Sequence, residues 1–187
     1  MEKQWHGILK IEEIEHKDVD GTVLWQAKNL TNILHNTGEQ LLLGAAFAGS
    51  TLPTNYFFGL DSRTPLTVAG GTTNQSIVYP YVQSNVIIAT GPAGEPESGL
   101  GYLRVNISNN VFVISLDDDL HYRASGPIIS FFGSGAGWGP VTNLFLGYTN
   151  SGTSQDIILA TVPLTQPVTV TNGQVINARM ALKLITC

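Results

Sequence analysis

Three consecutive carboxylates, Asp117, Asp118 and Asp119, follow an apolar run in the middle of this chain. Closely spaced aspartates can supply oxygen ligands to a hard cation such as Ca²⁺. The cluster lacks the alternating spacing and the distal glutamate of a calcium-binding loop, however. Three adjacent acidic residues are also typical of a solvated turn after a strand. We favour the turn, and we expect no bound metal and no other cofactor.

Acid–base and nucleophilic chemistry has little support in the residue pattern. His121 lies two residues after Asp119, which could orient its imidazole as a general base. The histidines form neither a His-x-x-x-His nor a His-Glu-x-x-His pattern. Residues 133–137 have a glycine where Gly-x-Ser-x-Gly requires the nucleophile. They also precede a predicted strand, so no helix N-terminus is expected there to meet a phosphate. We predict no catalytic residue and no enzymatic activity.

Aromatic side chains could instead form a platform for sugars. The candidates are Trp5, Trp25, Trp138, Tyr79, Tyr81, Tyr102, Tyr122 and Tyr148. A domain of this size also needs aromatic side chains in its core, and we assign Trp25 and Trp138 to it. Tyr79 and Tyr81 flank a proline and indicate a loop that contacts another molecule.

Residues 1–30 predict a hairpin or arm that packs on a main domain at residues 31–187. Apolar and charged residues are interleaved there, and Asp20-Gly21 between two such runs is a strong hairpin-turn signal. Ile8, Ile11 and Ile14 are spaced by three, which also fits a short helix over residues 8–15. The many β-branched residues favour a strand.

The rest of the chain predicts a mainly β fold. One short helix is expected near residues 37–48, where Thr37 and Gln40 fit a capping box. Residues 61–80 and 91–99 are rich in turn formers and predict loops. Strands are expected at residues 55–60, 102–107, 110–116, 128–132, 141–148, 157–163, 168–171 and 174–185. Short strands at such spacing predict a β-sandwich or jelly-roll-like domain.

Composition excludes several classes of protein. Only 12% of the residues are charged, about half the usual share. The formal net charge is −5, and no basic stripe is present, so nucleic-acid binding is disfavoured. No apolar run is long enough to cross a bilayer, and we expect no membrane association. The N-terminus shows no apolar signal core, and the lone Cys187 cannot form an internal disulfide.

Several phrases carry a resemblance to a known group. They are Gly101-Tyr-Leu-Arg104 and Gly137-Trp-Gly-Pro-Val-Thr142, preceded by residues 29–33, 38–42 and 55–60. In this order, which covers most of the chain, the sequence resembles the tailed-bacteriophage virion structural proteins, a group that includes head-decoration and tail-associated β-sandwich proteins. The phrases are structural, and none contains a catalytic residue.

The resemblance implies a capsid decoration (cement) protein that stabilises the head lattice. It implies a homotrimer that binds the major capsid protein or other virion proteins, is assembled in the host cytoplasm and resides in the virion. The alternatives are a tail, baseplate or fibre-adaptor protein, or a glycan-binding module on the virion surface. Under this reading, Trp5, Ile8, Tyr79 and Tyr81 are the expected oligomer or partner contacts.

Overall fold

The computed structural model describes residues 5–62, 94–96, 100–117, 120–152 and 155–186. The strands are β1 (Trp5–Lys17), β2 (Val23–Ile33), β3 (Asn55–Asp61), β4 (Val105–Ser108), β5 (Val113–Leu116), β6 (Tyr122–Phe132), β7 (Trp138–Asn150), β8 (Gln155–Val170) and β9 (Val175–Thr186). Helix α1 spans Asn36–Phe47, and a 3-10 turn spans Asn109–Val111. The prediction of a mainly β sandwich with one short helix is confirmed for these residues.

The described strands form two antiparallel sheets. The five-stranded sheet has the order β2-β1-β9-β6-β5, and the four-stranded sheet has the order β4-β3-β7-β8. Strands β1 and β2 form the predicted hairpin, and Gly21 takes a positive φ of 87° in the turn between them. Strand β1 also pairs with β9, so it lies inside the five-stranded sheet.

A β-bulge explains the spacing of three between Ile11 and Ile14 in β1. The register with β9 shifts between Ile11 and Glu13, which inserts one extra residue and resets the alternation of side chains. Ile11 and Ile14 therefore both face the interior, and each is fully buried. A spacing of three, which also fitted a helix, is here a property of a bulged strand.

The core lies between the two sheets. Ile129, Phe131 and Ile176 from the five-stranded sheet belong to one buried cluster with Phe58 and Leu144 from the four-stranded sheet. Each such side chain, fully buried, contributes about 1.5–3 kcal/mol relative to its exposed state. Trp138 is 3% exposed, which confirms its predicted place in the core. Trp25 is half-buried and packs against the same cluster.

The four-stranded sheet is buried on its outer face as well. Successive side chains of a strand point to opposite faces, so Phe57 faces away from the main core. Phe57, Phe145 and Ile158 form a second buried cluster there. Gly59 and Gly147 make room for the two rings, because a Cβ on Gly59 would lie 2.1 Å from Cζ of Phe145.

Helix α1 forms where it was predicted, but the predicted capping box is wrong. The N-cap residue is His35, and no side chain caps the helix. The Thr37 hydroxyl instead donates to the Ile158 carbonyl of β8 at 2.6 Å. His35 Nε2 lies 2.8 Å from Thr161 Oγ1, and both residues are buried. Contacts to β8 therefore hold the start of the helix.

Some strand bounds also differ from the prediction. Strand β6 begins at Tyr122 rather than at residue 128, because Gly126 and Pro127 fall in a register shift and do not end the strand. Residues 157–163 and 168–170 belong to the single strand β8, which contains Pro163 and Pro167. Strand β8 is an edge strand, where proline is tolerated.

In the described part of the chain, no helix is both long and apolar enough to span a bilayer.

Candidate functional site

Strand β5 leaves an apolar surface at the free edge of the five-stranded sheet. Among the described strands, it pairs with β6 alone. Val113, Ile114 and Leu116 are 64%, 65% and 52% exposed. Next to them, Leu120 and Tyr122 are 81% and 68% exposed. We call these five residues the apolar edge.

The geometry of the apolar edge suits the addition of a strand. Ile114 and Leu116 point to one face of the sheet and Val113 points to the other, so each face has an exposed apolar side chain. The free edge also presents backbone N–H and C=O groups that can pair with another chain.

The other described sheet edges carry protective features that β5 lacks. Strand β2 bears Lys28, whose ammonium lies 2.7 Å from Glu13. Strand β8 contains two prolines, and β4 packs Val105 and Ile107 against the core. Charges, prolines and covered side chains all discourage edge-to-edge association. The uncharged, proline-free and exposed β5 is therefore the described edge best suited to a partner.

A polar cluster lies beside the apolar edge, on the outer face of the same sheet. Asp117 and Lys183 form a buried ion pair, with side chains 9% and 8% exposed, and Arg123 pairs with Glu12. Asp117 Oδ1 also accepts a hydrogen bond from the His121 backbone at 3.0 Å. The first carboxylate of the predicted acidic cluster thus holds the turn between β5 and β6.

The described residues provide no geometry for the acid–base and metal chemistry that the residue pattern did not favour. Asp118 and Asp119 lie outside them, so the orientation of His121 by Asp119 is not described. Among the residues that are described, no group of three or more histidines, cysteines, aspartates or glutamates could hold a metal ion. Within the described part of the chain, the buried atoms His121 Nδ1, Arg123 Nε and Ser125 Oγ have no hydrogen-bond partner.

Arg104 is the centre of a second polar cluster, which joins β4, β8 and a segment at residue 95. Its Nε and Nη2 donate to the Glu95 carboxylate at 2.7–2.9 Å, and its Nη1 donates to Asp156 at 2.5 Å. The guanidinium carbon lies 4.4 Å from the centroid of the Phe57 ring. Burial would lower the pKa of Arg104, but the hydrogen bonds to Glu95 and Asp156 raise it above its usual range.

Tyr102 also belongs to the Arg104 cluster. Its hydroxyl donates to Glu95 Oε1 and accepts from the Leu60 backbone N–H, both at 2.8 Å. Burial and the nearby charge of Glu95 raise the pKa of the Tyr102 phenol far above its usual range. A phenol held neutral and a guanidinium with two carboxylate partners stabilise the fold and do not exchange protons near pH 7. Both residues belong to the phrase 101–104 that carried the family resemblance.

The predicted contact residues stay a prediction. Trp5 begins β1 opposite Thr186. Ile8 lies opposite Lys183 and is 8% exposed, so little of its side chain is accessible on the isolated chain. Tyr79 and Tyr81 lie outside the described residues.

The apolar edge was not predicted, although residues 111–114 are four successive apolar residues and so depart from the alternation of a half-buried strand.

Comparisons with family models, with curated proteins and with solved structures found no match. The proposals below therefore depend on the residues and the geometry of this chain.

Proposed function

We propose that this chain is a structural protein of a tailed-bacteriophage virion, and specifically a capsid decoration (cement) protein without enzymatic activity. The apolar edge is the observation that carries the proposal. A sandwich that leaves an uncharged strand edge exposed is suited to join other subunits, because the added strand satisfies the backbone groups and covers the apolar side chains. The resemblance to virion proteins suggests that the assembly this chain joins is a virion.

The proposed occupant of the apolar edge is another copy of this chain. Three copies around a symmetry axis of the capsid would form a homotrimer, in which the β5 edge of one copy meets a different surface of the next. The trimer would then bind the major capsid protein, for which Trp5, Tyr79 and Tyr81 are the proposed contacts. Because only 12% of the residues are charged, such contacts would desolvate few charges.

The copy number of the chain in purified virions tests the proposal. We expect quantitative mass spectrometry to give a ratio to the major capsid protein near one, or a simple lattice fraction of one. A handful of copies per particle would overturn the decoration role in favour of a tail, baseplate or fibre-adaptor protein. Absence of the chain from the particle would overturn the virion assignment itself.

A charge placed on β5 tests the surface directly. We expect Ile114→Lys to weaken self-association and particle occupancy by about tenfold or more, since an ammonium would have to be desolvated in the contact. Phe47→Lys is the matched control, because Phe47 is 85% exposed on helix α1. Sedimentation gives the oligomeric mass, and circular dichroism checks folding. Equal association of both variants and the native chain would contradict the role of β5.

A further inference from the structure

A groove of 670 Å³ lies at one end of the four-stranded sheet. It is bounded by residues 51–54, which precede β3, and by residues 149–151, where β7 ends. Sites for small molecules usually have volumes of about 300–1,000 Å³. The groove is therefore large enough for a small organic ligand, and it shares no described residue with the apolar edge.

The described lining of the groove is uncharged and combines amides with aromatic rings. Asn55, Asn106 and Asn150 contribute side-chain amides, and Tyr148 contributes a partly exposed ring. Each amide can both donate and accept hydrogen bonds, as the hydroxyl groups of a sugar require. An aromatic ring offers an apolar face to the C–H face of a sugar ring. We propose that this groove binds a neutral saccharide.

Hydrogen bonds hold both walls of the groove in place. The side-chain amide of Asn109 donates to the Pro53 carbonyl at 3.0 Å, and the Asn109 backbone N–H donates to the Thr54 carbonyl at 2.8 Å. On the opposite wall, Asn150 Oδ1 accepts from the Gly152 N–H at 2.9 Å. Preorganised walls reduce the entropy that a ligand must overcome on binding.

The floor of the groove is fixed by the Arg104 cluster. Thr149 Oγ1 donates to Asp156 Oδ1 at 2.9 Å, and Asp156 is the partner of Arg104. Phe57, which lines the groove, lies under the same guanidinium. The charges of Arg104 and Asp156 are therefore paired with each other. These residues contact the groove lining but are not part of its described residues.

Other ligand classes fit this lining less well. A phosphate or carboxylate ligand would need a cationic partner, and a cation would need carboxylates. The described lining supplies neither. A purely apolar ligand would leave the amides without partners, which is costly. A saccharide can form hydrogen bonds with the amides and stack on the ring. An uncharged peptide segment could do the same, and the experiment below distinguishes the two.

Titration of the isotope-labelled full chain with methyl glycosides of glucose, galactose and N-acetylglucosamine tests the proposal by NMR. At millimolar concentrations, we expect at least one of them to shift the amide signals of Thr54, Asn106 and Asn150 in a saturable way. Tyr148→Ala should weaken that binding by about tenfold. Tyr122→Ala is the control, since Tyr122 is an exposed tyrosine of the apolar edge.

The proposal is overturned if none of the three glycosides shifts these signals, or if the Tyr148→Ala variant binds as tightly as the native chain. It is also overturned if an uncharged Gly-Ser-Gly peptide gives the same shifts, because the occupant would then be a protein segment. Virion occupancy of the Tyr148→Ala variant is measured in parallel. If this variant no longer binds the sugar but still occupies virions as the native chain does, the failure of sugar binding leaves the decoration role intact.

Discussion

Gly59 and Gly147 leave room for the Phe145 and Phe57 rings of neighbouring strands to pack directly over their backbone. A Cβ on Gly59 would fall 2.1 Å from the ring of Phe145, which is fully buried. We expect Gly59→Ala to destabilise the fold by about 1–3 kcal/mol through overpacking, measured by urea denaturation. Gly152→Ala is the control, since its nearest neighbour would lie at 3.4 Å in an exposed turn. Equal stability of the two variants would contradict this account.

Arg104 compensates a carboxylate that the fold buries. Glu95 is 4% exposed and receives three hydrogen bonds from the guanidinium. We expect Arg104→Met to cost about 3–5 kcal/mol, because the removal of one partner leaves a buried charge uncompensated. Arg104→Lys should recover part of this loss, since an ammonium keeps the charge without the forked geometry.

The exposed ion pair between Lys28 and Glu13 provides the control for Arg104. Both side chains are largely exposed, at 59% and 45%, and surface pairs contribute little to stability. Lys28→Met should leave the denaturation midpoint unchanged. If Arg104→Met shifts the midpoint no more than Lys28→Met does, the Arg104 cluster is not a main source of stability.

At the scale of the elements, turn chemistry and alternation were informative in the sequence. Asp20-Gly21 marked the hairpin turn between β1 and β2. Asn172-Gly173 also lies in a turn, but the prediction of a hairpin there is wrong, because that turn connects β8 to β9 and these strands belong to different sheets. Irregular strands were the main source of error. Pro127 and Pro163 resemble strand ends, but a bulge and an edge position accommodate them. Such tertiary context cannot be read from one segment alone.

The candidate sites were less predictable than the strands. Arg104 and Asp156 are 52 residues apart in sequence, and nothing local to either residue indicates the other. The β5 strand was predicted, but its place at an edge depends on the order of strands in the sheet. That order depends on pairings such as β6 with β9, which join distant parts of the chain. Side-chain exposure at β5 therefore follows from topology and not from the strand's own composition.

At the scale of the whole molecule, tyrosines that are buried or partly buried make stability depend on pH in alkaline solution. Burial raises the pKa of Tyr56 and Tyr148, and burial with the charge of Glu95 raises that of Tyr102. The unfolded chain loses these protons near pH 10, at about the usual phenol pKa, whereas the folded chain loses them only at higher pH, most markedly at Tyr102. Folding stability is therefore complete below about pH 10 and falls as the pH rises further.

Tyr102→Phe tests this dependence by urea denaturation between about pH 8 and pH 11. At neutral pH, the variant should lose about 1–3 kcal/mol, because the Leu60 N–H loses its acceptor. Above about pH 10, its stability should fall less steeply than that of the native chain, by up to about 1.4 kcal/mol per pH unit. Tyr122→Phe, at an exposed position, is the control. Parallel curves for native chain and Tyr102→Phe would refute the assignment.

The exposed β5 edge also has a consequence for the chain before it meets a partner. Residues 111–116 read Val-Phe-Val-Ile-Ser-Leu, an uncharged and proline-free six-residue segment of the kind that forms amyloid-like stacks. Every newly made copy presents this edge to every other copy. Ordered assembly and open-ended aggregation therefore compete for the same strand, and the outcome depends on how quickly free chains are captured relative to how fast they accumulate.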